Sequence, residues 1–446
     1  MENIKDNARK FAISAHSGQV RKSEPDKPMI IHPFDVARKL QDFGYDDNMV
    51  AAGYLHDVVE DTEYTIEDIR ENFGDDVADL VYGASEPDKS LSWEDRKKHT
   101  IKAVKKLSLR NKIVVCADKI SNLEDLMIII QKSGKRDFSH FKRGESYQKW
   151  YYSDIYKSII YNEDKDIPIF NKLRELIDIV FNFKEDVFLR ETVFSMDNKY
   201  YSKLKKLHAQ KMELQKLKKL CPLQKPYVIE LCGTPRTGKT SMYKNLSDFF
   251  ERGGFKVAKI EEFMNSKYYK NDLKDKFKKM SIDKFMSAVV QEITIQLENC
   301  VEQNVDVILI DRGLNDRIVW NNRYYKKSKM TEDMYFQLKD QCETISKKIV
   351  NHLVITYVNS LESLRRDYAK SLALEERSFL NLTNLEEYND SLMDLKYSLK
   401  DNVNSYIFLD TMSINTRDTA VEVASNILIA MREEYIREFK KSINNI

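Results

Sequence analysis

The chain has 446 residues, with 73 Lys and Arg against 71 Asp and Glu, a formal net charge of +2. That balance argues against a nucleic-acid coat or a polybasic membrane binder, and at roughly 150 residues per domain the length predicts two or three domains. Five cysteines with no CxxC pair argue against a disulfide scaffold or a cysteine zinc site and fit a reducing cytoplasm, while no apolar run nears the ~18 residues of a membrane span.

Residues 1–187 read as consecutive helices, favoured by the low count of 12 Gly and 8 Pro. Phe11 and Ala15, then Val36, Ala37 and Leu40, then Ala51, Ala52 and Leu55 recur at helical spacing. The charged start MENIKDNARK has no apolar segment behind it. The segment YLHDVVEDT (54–62) sets His56 and Asp57 beside apolar positions, with Glu60 and Asp61 one turn on. So many polar groups in an apolar helix are costly unless a cation or buried partners compensate. Imidazole and carboxylate donors suit a divalent transition metal. IIHPFDVA adds His32, with Pro33 as a first helical residue, and VVCADKISNL adds Asp118 after an apolar run.

HSGQVRK (16–22), IIHP (30–33), YLHDVVEDT (54–62) and CADKISNL (116–123) resemble the HD-domain hydrolase of RelA/SpoT-type and small alarmone hydrolases, over about residues 1–185. The resemblance implies one Mn²⁺ held by His32, His56, Asp57 and Asp118, and removal of the 3′-pyrophosphate of (p)ppGpp to leave GDP or GTP. Glu60 and Asp61 are placed to orient a water or carry its proton. Arg21 and Lys22 offer charge for phosphates or base, a solvated basic turn being the alternative. Asn122 resembles the family residue near the ribose. His16 lies in the motif and reads equally as a structural histidine, and His99 and His140 carry no motif. Met29 stands where the family usually has Tyr, which bears on base recognition. Relatives also act on other 3′-modified or 2′-phosphorylated nucleotides.

Residues 188–224 form a Lys- and Leu-rich stretch. Leu207, Leu214 and Cys221, with Leu204 and Leu217, give one narrow apolar seam. It predicts a helical connector packed on a neighbouring domain, ended by Pro222 and Pro226.

From 225 to 446 short apolar runs at Tyr227–Cys232, Phe255–Ile260, Val305–Ile310, Leu353–Val358 and Tyr406–Leu409 alternate with helical stretches, which predicts a parallel sheet covered on both faces. The fold class expected for the whole is therefore multidomain, an all-α metal hydrolase domain followed by an α/β kinase-like domain. Gly233, Thr234, Pro235, Arg236, Thr237, Gly238, Lys239 and Thr240 fit G-x-x-x-x-G-K-[ST] in the strand–loop–helix context that this ATP-binding motif requires. Lys239 is expected on the β/γ-phosphates and the Thr240 hydroxyl on Mg²⁺. Asp311 ends an apolar run, where it would order Mg²⁺ or accept a substrate proton. Arg312 and Arg317 would clamp phosphate, a surface salt bridge being the alternative for Arg317. Arg365, Arg366, Lys370 and Arg377 lie on a segment that reads as a lid or as a charged amphipathic helix.

This ensemble resembles the deoxynucleoside and thymidylate kinase branch of P-loop kinases over about residues 225–435. There Glu261 or Glu262 is a candidate to hold an acceptor hydroxyl, and nucleoside and nucleotide acceptors both stay open. The readings carried forward are a cytoplasmic bifunctional enzyme, a hydrolase of another phosphorylated nucleotide regulated by an ATP- or GTP-sensing P-loop domain, and a non-enzymatic sensor. Expected partners are small nucleotides, with no membrane and no specific nucleic acid; homo-oligomerisation is left open.

Overall fold

Helices dominate the first half because caps and apolar faces alternate along it. The computed structural model describes residues 3–21, 24–85, 91–139, 141, 143–182, 189–265, 269, 279–371, 380–399, 403–412 and 416–445. The described residues divide into two compact units, Met1–Pro222 with Glu434–Ile446, and Leu223–Glu433.

The first unit contains helices α1 (Ile4–Ala15), α2 (Ile31–Asp42), α3 (Asp47–Leu55), α4 (Val58–Asp61), α5 (Ile66–Phe73), α6 (Asp75–Ala84), α7 (Trp93–Val104), α8 (Leu109–Gln131), α9 (Gly144–Ile159), α10 (Pro168–Phe181) and α11 (Asn198–Leu220). A short antiparallel ribbon, β1 (Val20–Arg21) and β2 (Glu24–Pro28), precedes α2. Side-chain caps start two of the helices that carry the site, α3 and α8. Asp46 accepts from the Asn48 and Met49 amides at α3, and Ser108 accepts from Asn111 at α8. Val36, Ala37, Leu40, Ala51, Ala52, Leu55, Val114 and Ala117 are fully buried. On α1 the buried residues are Ala8 and Ala12. Phe11 and Ala15, read at helical spacing, lie on α1 and are half-buried, and the Phe11 ring meets Tyr64 and Phe73 at 4.7 and 5.4 Å. Gly53 allows α2 and α3 to touch: a Cβ there would lie 2.8 Å from Ala37 Cα. The Lys/Leu segment is helix α11. It buries Leu207, Leu214 and Leu217 and packs on α8 and α2.

The second unit is built on five parallel strands in the order β4-β5-β3-β6-β7. These are β3 (Tyr227–Gly233), β4 (Val257–Ile260), β5 (Val307–Asp311), β6 (His352–Tyr357) and β7 (Tyr406–Asp410). All five sequence-expected strands are present, each end within two residues of its apolar run. Between them run α12 (Lys239–Arg252), α13 (Ile282–Glu302), α14 (Leu314–Lys326), α15 (Glu332–Ile349), α16 (Ser360–Ser371) and α17 (Leu382–Ser398); α18 (Thr416–Asn444) follows β7, and its residues from Glu434 on belong to the first unit. Val228, Cys232, Ile308, Ile310, Leu353 and Ile355 pack on Val289, Ile293, Leu314, Leu338 and Leu392 from the helices. Central strands buried on both faces explain why their runs are continuously apolar.

Glu230 breaks the apolar run of β3. It is fully buried and accepts from the Asn315 and Asp316 amides at 2.8 and 3.2 Å, and from Asn315 Nδ2 at 2.8 Å. Burial pushes its carboxyl up to about 7, against the pull of those donors. The folded state therefore holds a proton that the unfolded chain releases nearer 4.5. This stabilisation is full below the unfolded value and is lost as pH rises through the folded one, a change of about 3 kcal/mol. Glu230→Gln should flatten the fall in stability of this unit between about pH 5 and pH 8, as followed by denaturant unfolding. An unchanged slope would refute it.

Candidate functional site

The first site forms where α2, the α3–α4 junction and α8 meet. The His56–Asp57 pair was expected within one helix. It lies instead at a break, with His56 closing α3 and Asp57 opening α4. The His56 Nδ1 takes the Gly53 carbonyl at 2.9 Å, a backbone acceptor of its own helix. That bond leaves Nε2 to face inward. His32 Nδ1 is likewise fixed, 3.1 Å from Ser121 Oγ, and its Nε2 lies 3.3 Å from His56 Nε2.

Asp118 Oδ1 lies 3.1 Å from His32 Nε2 and 3.8 Å from His56 Nε2. Asp57 closes the set at 3.1 Å from His56 Nε2 and 3.7 Å from His32 Nε2. Among the described residues His32, His56 and Asp118 are a buried group whose donor atoms all lie within 4.8 Å of one another. Two imidazoles pinned at Nδ1, with Nε2 atoms converging on carboxylates, fit a divalent metal.

The electrostatics suit the same use. Burial works against the charged His56 ring, but Asp57 and Asp118 raise its pKa above the ordinary value. Burial also opposes ionisation of Asp118, yet Lys119 and His32 hold it well below the usual carboxylate range. Lys119 sits 2.6 Å from Asp118 Oδ2, so it occupies one carboxylate oxygen while the other faces the imidazoles. Asn122 Nδ2 donates to that inward oxygen at 2.6 Å.

Glu60 is half-buried and Asp61 exposed, both on α4. Arg21 pairs with Asp125 at 3.0 Å, and Lys22 lies outside the described residues, as does His140. His16 is buried with Nδ1 2.9 Å from Gln19, His99 is exposed and Met29 half-buried.

The second site lies at the carboxyl edge of the sheet. Parallel pairing sets Leu231 opposite Asp311, so the loop after β3 and the end of β5 are neighbours. Thr240 Oγ1 is 3.5 Å from Asp311 Oδ2. The loop turns through Gly233 at φ 134, Arg236 at φ 63 and Gly238 at φ 91, and α12 begins at Lys239, a helix N-terminus suited to anions. A Cβ on Gly233 would lie 2.0 Å from the Thr356 carbonyl. Gly233→Ala should therefore cost several kcal/mol, roughly, read as a lowered melting temperature of this unit; a wild-type transition would contradict the close approach.

Lys239 Nζ is buried and donates to the Gly233 carbonyl at 2.7 Å. Burial, and then Arg312, lower its pKa below the ordinary lysine value. Burial raises the Asp311 carboxyl. Arg312 is bonded to Asp316 at 2.9 Å and approaches Glu262 at 3.3 Å, while Glu261 is exposed. Arg317 holds Asp316 Oδ2 at 2.6 Å and is buried, which sets aside the surface salt bridge. Arg366 bonds Glu362 and the Thr411 carbonyl, at 2.8 and 2.7 Å. Arg365 pairs with the same Glu362; Arg377 lies outside the described residues. A cavity of about 540 Å³ is lined by Lys239, Thr240, Glu262, Arg312, Arg317 and Arg366, with Trp320 and Tyr324 among its apolar walls. Its cations outnumber its carboxylates, as an anionic ligand requires.

Sequence reasoning missed the braces of both sites. Tyr388 Oη lies 2.6 Å from Asp316 and 3.0 Å from the Gly233 carbonyl, and Asn389 accepts from the Thr234 hydroxyl at 2.7 Å. Neither sits in a pattern that marks it. Asp35, Lys119, Ser121 and Lys216 were equally silent, although Lys119 and Ser121 flank the recognised Asp118. Among the described residues no helix is long and apolar enough to cross a membrane.

Comparison with known proteins adds the lineage. The family model described as HD domain matches residues 8–139. A probable guanosine-3′,5′-bis(diphosphate) 3′-pyrophosphohydrolase of Synechocystis is 36% identical over 28% of this chain and 17% of its own length. The chain thus spans about a sixth of that relative. The guanosine-3′,5′-bis(diphosphate) 3′-pyrophosphohydrolase MESH1 of Xenopus tropicalis is 40% identical over 27% of this chain and 67% of its own. A deoxyadenosine kinase structure from M. mycoides with bound dCTP aligns with 45% of this chain and 98% of its own, at 18% identity and a TM-score of 0.33. At that level the reading of the second unit rests on its own geometry. Through its first unit, the chain belongs to the HD-domain family of guanosine-3′,5′-bis(diphosphate) 3′-pyrophosphohydrolases.

Proposed function

We propose that the first unit hydrolyses the 3′-pyrophosphate of (p)ppGpp with Mn²⁺, and that the second is an ATP-dependent P-loop kinase for a nucleoside or nucleotide, using Mg²⁺. The observation that carries the first half is the convergence of His32 Nε2, His56 Nε2 and Asp118 Oδ1 at 3.1 to 3.8 Å, with Asp57 beside them. A divalent ion held there would lower the pKa of a water and supply a nucleophile near neutral pH. Glu60 and Asp61 would orient that water, and one of the two carboxylates would take its proton. Arg21, steadied by Asp125, faces the substrate's negative charge. The bond broken joins the ribose 3′ oxygen to phosphorus. The water oxygen leaves on pyrophosphate, and the 3′ oxygen recovers a proton.

The second half is supported by the glycine loop, Lys239, and Thr240 beside Asp311, with Gly238, Lys239 and Thr240 on one cation-lined cavity. Lys239 reaches the β/γ-phosphates and Asp311 takes the acceptor proton or orders the magnesium shell. The test is pyrophosphate release from ppGpp by the purified chain with Mn²⁺, with and without ATP. Release establishes the hydrolase. Metal binding without release would transfer the reading to another phosphorylated nucleotide.

A further inference from the structure

Helix α11 lies wholly outside the segment that the HD model matches, yet it places a charge in that domain's interior. Lys216 is one-tenth exposed, with Nζ 2.9 Å from Asp35 Oδ2 and 2.6 Å from Asp125 Oδ1. Each of these carboxylates leads to one part of the site. Asp35, fully buried, accepts from Ser121 Oγ at 2.6 Å. Ser121 spends its one hydroxyl proton there, so it must accept from His32 Nδ1, 3.1 Å away. That bond puts the His32 proton on Nδ1 and leaves the Nε2 lone pair for a metal. Asp125, in turn, holds Arg21 at 3.0 Å through its other oxygen.

We infer that Lys216 is a positioning residue of the hydrolase centre, one ammonium that sets both the His32 metal ligand, through Asp35 and Ser121, and the Arg21 phosphate-facing cation, through Asp125. The inference rests on the hydrolase reading for its second branch only. Lys39 and Arg38 also contact Asp35, at 2.8 and 3.0 Å, and Lys216 alone joins the two carboxylates among these cations. Burial by itself would raise the Asp125 carboxyl; Lys216 and Arg21 bring it down to about 2. Glu213, one turn earlier on α11, is buried against Lys27 at 2.5 Å, which fixes the helix beside the ribbon that carries Arg21.

The test uses the full chain, stripped of metal and titrated with Mn²⁺ alone, alongside hydrolysis of ppGpp. Lys216→Met should weaken Mn²⁺ binding by about tenfold, as loss of a ligand's supporting contact does, and should raise KM, with Lys216→Arg recovering part of both. Ser121→Ala, which removes no charge, should weaken Mn²⁺ binding and leave KM near wild type. Wild-type Mn²⁺ affinity and KM in a folded Lys216→Met would overturn the proposal. If that variant does not fold, wild-type Mn²⁺ affinity in Ser121→Ala overturns the relay. A wild-type chain that binds Mn²⁺ but releases no pyrophosphate would refute ppGpp as the substrate, and the Mn²⁺ titrations would still decide the role of Lys216.

Discussion

His56→Ala or Asp57→Ala is expected to abolish pyrophosphate release while leaving ATP binding by the second unit intact. The two residues sit at the α3–α4 break, where each faces the same small space as His32 and Asp118. Removing either takes one donor out of the cluster. Without Asp57, His56 keeps Asp118 at 3.8 Å as its nearest remaining carboxylate. A metal supplies several kcal/mol of transition-state stabilisation, and each 1.4 kcal/mol is tenfold, so the rate should fall by about 10³-fold or more. Direct assay of pyrophosphate and of bound Mn²⁺ separates the outcomes. Retained hydrolysis with full metal content would remove these residues from the site.

The legible part of this site was local. The motifs around His32, His56 and Asp118 each set a ligand-type residue in an apolar context, and it was the resemblance of those motifs to the HD-domain hydrolases that grouped them into one site. What packs behind them depends on contacts far apart in sequence. Ser121 and Asp35 are 86 residues apart, and Lys216 and Ser121 are 95 apart. A lysine in KLKKL reads as solvated by composition, and only the packing of α11 on α2 and α8 takes Lys216 out of water. The sheet was legible for the opposite reason. Strands buried on both faces are short apolar runs whatever their neighbours, and the glycine loop follows the first of them. Their order was not legible, because pairing β3 between β5 and β6 is a property of three separate segments. The break at His56 was missed because residue spacing does not encode where a helix stops; there the His56 ring bonds the Gly53 carbonyl of its own helix.

Lys239→Ala is expected to lower ATP-dependent transfer by roughly 10²- to 10³-fold, the cost of removing one donor aimed at developing charge. A second consequence separates this lysine from a mere structural cation. Its ammonium is buried, and burial together with Arg312 lowers its pKa from the ordinary value. A triphosphate arriving on the loop places negative charge beside it and raises that pKa again. Binding therefore takes up a proton, and the apparent affinity for ATP falls as pH rises past the free-state value, since the unliganded lysine is then neutral and must be recharged. Calorimetry of Mg²⁺–ATP binding in two buffers of different ionisation enthalpy measures the uptake directly. Wild-type protein should show it, and Lys239→Ala should not. Equal heats in both buffers for the wild type would mean that Lys239 keeps its proton throughout. The fold-change on transfer would then report only the lost contact.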